Sequence, residues 1–90
     1  MAVLASPLAR KFGRLLKKRF PPPAKVRVIE HNGVAAVVTS DEFRDVEVYD
    51  RQLLVEQLLA SELTREEARE VQIVVCVTPD EGTGYLAGTN

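Results

Sequence analysis

Residues 25–39, KVRVIEHNGVAAVVT, decide how the fold is read. Two runs rich in β-branched residues flank Asn32-Gly33, and Asn-Gly supplies the two positive φ angles that a type I′ hairpin turn needs. A two-residue loop pairs Val28 with Val37 and Val26 with Thr39, and that face is the expected core side. Beyond the hairpin, Ser40-Asp41-Glu42 is polar turn material. Residues 44–49, RDVEVY, alternate with period two, which predicts a third strand completing a meander.

Further along, Asp50 is placed to cap a helix in which Leu53, Leu54, Leu58 and Leu59 recur at helical spacing through about Leu63. Thr64-Arg-Glu-Glu67 has the form of a capping box and predicts a second short helix. Residues 71–78, VQIVVCVT, form the strongest strand candidate, apolar on both faces as an interior strand would be. Pro79-Asp-Glu-Gly82 ends it, and a loose tail is expected from about residue 82.

On the N-terminal side, Ser6 can accept from the first helical N–H groups and Pro7 has the φ of a first helical residue, so a helix is predicted over 7–19. At 100° per residue, Leu8, Phe12, Leu15, Leu16 and Phe20 share one arc, and Arg10, Lys11, Arg14, Lys17 and Lys18 share the opposite one. Pro21-Pro22-Pro23 stops the helix and is expected to act as an extended, semi-rigid spacer. The expected class is α+β: a small antiparallel sheet built as a β-meander, a helical pair and a final strand, packed on one side by helices, with an N-terminal amphipathic helix. The expected division is a basic arm with linker, 1–24, and a domain over 25–90.

Net charge is −1, yet residues 1–29 carry eight of the twelve bases and no acid, whereas residues 30–90 carry all thirteen acids against four bases. The two halves are therefore +8 and −9. With a single cysteine, Cys76, no internal disulfide can form, and a reducing, cytoplasmic setting is the expectation. No apolar run approaches the roughly 20 residues of a membrane span.

Candidate chemistry is sparse, and no enzyme activity, cofactor or metal is expected. His31 beside the turn lacks a second group to position it as a base. Cys76 alternates with apolar neighbours, the setting of an inert core thiol. Asp41, Glu42, Asp45, Glu47 and Asp50 match no calcium-loop spacing, and Gly82-Thr-Gly84 lacks the Lys-Ser/Thr ending of a phosphate loop.

The N-terminal helix carries the functional expectation. An isolated helix of this length is marginal in water, so its apolar stripe must find a surface. That favours an accessory or regulatory protein docking to a protein partner, or to itself, with Leu8, Phe12, Leu15 and Leu16 buried and Arg10, Arg14, Lys17 and Lys18 orienting. The same cations could meet nucleic-acid phosphates or a membrane surface, and the plainest alternative is a helix packed on its own domain. In general appearance the acidic remainder resembles small phage proteins that block a host nucleic-acid machine. Over Val26 to Asp50 the chain is similar to short uncharacterised proteins of bacterial mobile elements, a resemblance that implies no function.

Overall fold

In a computed structural model, which describes residues 6–81, the chain runs through α1 (Pro7–Arg19), β1 (Lys25–Glu30), β2 (Val34–Thr39), a 3-10 turn (Asp41–Phe43), α2 (Val48–Glu62), α3 (Arg65–Arg69) and β3 (Val71–Val77). The α+β class, the N-terminal helix and the one-sided helical layer are those expected. The expected tail from residue 82 lies outside the described residues.

The sheet has the order β1-β2-β3, with β1 antiparallel to β2 but β3 parallel to it, so it is mixed rather than a meander. The predicted strand over 44–49 is absent. Ser40 Oγ accepts from the Glu42 N–H to start the 3-10 turn, Asp45 adopts a left-handed φ of 63°, and α2 begins at Val48. Two alternating valines are a weak claim on a strand. The second edge of β2 goes instead to β3, whose nearly unbroken β-branched run gains more from pairing. The cap of α2 moves accordingly, from Asp50 to Glu47, which makes no side-chain cap bond.

The hairpin register also differs by one residue. The loop holds three residues, His31 to Gly33, with Asn32 at φ 53° and Gly33 at φ 128°, and the pairs are Val28 with Ala36 and Val26 with Val38. A one-residue slip exchanges the faces of β2. The register found buries Val34, Ala36 and Val38, whereas the predicted one would bury Ala35, Val37 and the hydroxyl of Thr39. Three bonds hold the choice: the Val34 N–H donates to Glu70 O at 2.8 Å, and Gln72 Nε2 donates to the carbonyls of His31 and Asn32.

The core lies between the sheet and the helices. Phe12, Leu16, Phe20, Val34, Val38, Phe43 and Val55 are its largest fully buried side chains. The stripe of α1 is thus part of the same cluster as β2 and α2, and the helix packs on its own domain. The connection to β1 is correspondingly tight. The Ala24 N–H donates to Pro21 O at 3.0 Å, so the prolines form a turn rather than an extended spacer, because both buried Phe20 and core-packed Ala24 must face the same interior.

Among the described residues, the other face of the sheet carries no helix. Registered across it are Ile29, Ala35 and Ile73 in one row, Arg27, Val37 and Val75 in the next, and Lys25, Thr39 and Val77 in the third. β3, expected as an interior strand, is an edge strand. Its outer edge is closed by side chains of α2: Gln52 Nε2 donates to Val74 O at 2.9 Å, and Arg51 Nη1 donates to Cys76 O at 3.0 Å.

Candidate functional site

The outer face of α1 is set by its two ends and its buried side. At the start, Ser6 Oγ accepts from the Ala9 N–H, Pro7 opens the helix, and Ser6 N donates to Glu30 Oε2 at 3.2 Å. At the other end the Phe20 N–H closes on Leu16 O, and the basic last turn of Lys17, Lys18 and Arg19 suits the negative helix end. Inward, Phe12 and Leu16 are fully buried, with Ala9 and Gly13 beside them, while Leu8 and Leu15 flank the stripe half-buried.

Lys11 and Arg19 help to fasten the helix. Lys11 Nζ lies 2.9 Å from Glu67 Oε1 of the α3 capping box, and Arg19 forms a two-pronged pair with Glu42 of the 3-10 turn, with its guanidinium stacked 4.6 Å from the Phe20 ring centre. The Thr64 backbone N–H and the Lys11 ammonium both hold the Glu67 carboxyl below its usual range. Arg10, Arg14, Lys17 and Lys18 remain exposed. Among the described residues, Arg14, Lys17 and Lys18 form no ion pair. Arg10, Arg14 and Lys18 follow one another at four-residue intervals, a row about 12 Å long at 1.5 Å per residue.

The eight residues singled out in the sequence are therefore divided by the structure. Arg10, Arg14, Lys17 and Lys18 share the solvent side, Leu8 and Leu15 lie at its margins, and Phe12 and Leu16 are closed off inside. Asp50, Glu56 and Glu62 are exposed on α2, with Glu66 in α3 and Glu70 just after it.

Sequence reasoning missed Arg51. The residue is only 6% exposed, and it donates to Val46 O, Cys76 O and the Glu81 carboxylate, with its guanidinium 5.7 Å from the Phe43 ring centre. That guanidinium, with help from the Thr78 N–H, lowers the Glu81 carboxyl to about 2. Its only sequence signal is an arginine one position past the predicted cap of a helix, which ordinarily marks a solvated side chain. Cys76 is buried, and desolvation pushes its thiol up to about 11, the state of a protonated core residue. His31 is exposed on the hairpin loop.

Surface cavities among the described residues include two of moderate size. One, of about 400 Å³, lies where Phe20, Pro21 and Ala24 meet Ser40 and Asp41, and the other, of about 310 Å³, lies between α2 and β3. Neither is lined by His31 or Cys76, and the acids Asp41 and Glu42 at the first are engaged by Arg44 and Arg19. Among the described residues no cluster of three or more His, Cys, Asp or Glu is arranged to hold a metal ion, and no helix is long and apolar enough to cross a membrane.

No family model matches this chain, and no curated protein does. Among solved structures it is similar to the crystal structure of a bol-like protein from Babesia bovis, at 21% identity and a TM-score of 0.47, over 93% of this chain and 95% of that one. A superposition below 0.5 is a partial overlap of backbones, and nothing about the function of this chain rests on it.

Proposed function

We propose that this protein is a non-enzymatic accessory protein that docks an acidic surface of a protein partner through the outer face of α1. The observation that carries the reading is the exposed row of Arg10, Arg14, Lys17 and Lys18 on a helix whose opposite side is locked into the core. Like charges four residues apart destabilise a helix by about 0.2–0.5 kcal/mol per pair, so the row is held against its own repulsion by the burial of Phe12 and Leu16. The cations are presented on a rigid support, and docking need not order the helix first.

A nucleic-acid backbone is the second reading. One observation favours it: the apolar stripe, which phosphates would leave uncovered, is already covered from within. Against it stands the charge of −9 over residues 30–90, which repels a long polyanion approaching anywhere but along α1. A row about 12 Å long suits a compact acidic patch.

Fluorescence polarisation separates the two, with a labelled Glu/Asp-rich peptide and a labelled mixed-sequence DNA duplex as probes. Peptide binding at near-physiological salt is expected to fall at least tenfold in the variant carrying Arg14→Glu and Lys18→Glu, and duplex binding to be no tighter than about 10⁻⁴ M. A duplex bound more tightly than the peptide, with an affinity that collapses as salt rises, would replace the protein partner by nucleic acid. Equal binding by variant and native protein would remove α1 from the interface.

A further inference from the structure

The side of the sheet away from the helices has the composition of a covered surface. In a sheet with one solvated face, outward positions alternate to polar residues. Here the outward positions of β2 and β3 are Ala35, Val37, Ile73 and Val75 at the centre, and β1 adds Ile29. Ile29 and Ile73 are 43% and 57% exposed. β3 is apolar on both sides, as a strand between two layers would be, yet only one layer is present among the described residues.

Strand addition at β3 is blocked, because Gln52 and Arg51 already occupy the outward carbonyls of Val74 and Cys76. β1 is guarded by Lys25 and Arg27, a charged edge of the kind that discourages strand addition. Those two cations are also the only charges among the registered outward positions, with no acid to balance them. A second copy of the chain would bring like charges together. It would also bury a patch about 10 Å by 20 Å across three strands, well short of the roughly 800 Å² per partner of a stable dimer. One helix, about 10 Å across, matches that width.

We infer that the open sheet face, centred on Ile29, Val37, Ile73 and Val75 and bordered by Lys25 and Arg27, is a docking surface for an amphipathic helix of a protein partner whose apolar stripe is flanked by carboxylates. This surface is separate from the outer face of α1, and either can fail without the other.

The test uses the full ¹⁵N-labelled chain and two synthetic helical peptides with the same Leu/Ile stripe, one flanked by Glu and the other by Lys. The Glu-flanked peptide is expected to shift the amides of Ile29, Ala35, Val37, Ile73 and Val75, and to bind at least tenfold more tightly than the Lys-flanked one. Ile73→Glu, at an exposed position that leaves the core intact, is expected to lower that affinity at least tenfold with an unchanged thermal midpoint. Arg14→Glu with Lys18→Glu is expected to change it less than twofold. Equal binding of both peptides, or shifts confined to α1, would overturn the inference. So would sheet-face shifts that grow with protein concentration in the absence of peptide, which would mark a second copy. Movement of the same amides when residues 82–90 are deleted, again without peptide, would assign the face to the chain's own C-terminal segment and equally overturn it.

Discussion

Truncating Phe12 to alanine measures whether α1 belongs to the core or is carried by it. The ring is fully buried in the cluster that joins α1 to β2 and α2. Phe→Ala at such a site removes the transfer free energy of the ring and leaves a cavity, a loss of about 3–5 kcal/mol. A chain of 90 residues is stable by roughly 5–13 kcal/mol at 0.05–0.15 kcal/mol per residue, so this one change removes a quarter or more of the total. Urea unfolding followed by far-ultraviolet circular dichroism should show the midpoint falling by about 1–3 M with the slope unchanged, since the same surface is exposed on unfolding. Arg14→Ala on the opposite side should stay within about 0.5 kcal/mol. A Phe12→Ala loss below about 1 kcal/mol, or a separate early transition with the helical content of α1, would show that the helix is only loosely attached and refute the reasoning.

Other outcomes follow from single contacts. Gly33→Ala is expected to cost about 1–3 kcal/mol in the same urea experiment, because φ is 128° there and an added Cβ would lie 2.6 Å from Glu70 O. Arg51→Leu leaves the carbonyls of Val46 and Cys76 without their donor and should lower stability by about 2–4 kcal/mol, measured by denaturation at neutral pH. Glu81 has a depressed carboxyl, so its contribution is complete above its ordinary value of 4.5 and is lost as pH falls toward about 2; the stability gap between native protein and Glu81→Gln should be widest at neutral pH and close over that interval. Thr64→Ala should cost about 1 kcal/mol by removing one half of the capping box, with thermal melts as the readout.

Features carried by local chemistry were legible in the sequence. Ser6-Pro7 and the prolines after Phe20 bound α1 because capping and the missing proline N–H act within a few residues, and Thr64 with Glu67 marks α3 for the same reason. What failed was decided by competition at a distance. The slip at Asn32-Gly33 followed from Val34 reaching Glu70 O, thirty-six residues on in the chain, and the strand expected over 44–49 lost its place to β3. The cationic side of α1 could be read from periodicity, but whether its apolar side was filled from within depended on tertiary packing. Arg51 was invisible because its role exists only once β3 and Glu81 are brought beside it.

The parallel pairing of β2 with β3 has a consequence for the order in which the molecule assembles. β1 and β2 close over a three-residue loop, a microsecond event, whereas β3 can join only after residues 40–70 have been gathered into a crossover. The central strand is therefore half-paired early and waits for its second neighbour. Until β3 arrives, the edge of β2 with its run of valines is bare, and this is the interval in which one chain is most open to pairing with another. Native assembly thus depends on how quickly α2 and α3 deliver the last strand.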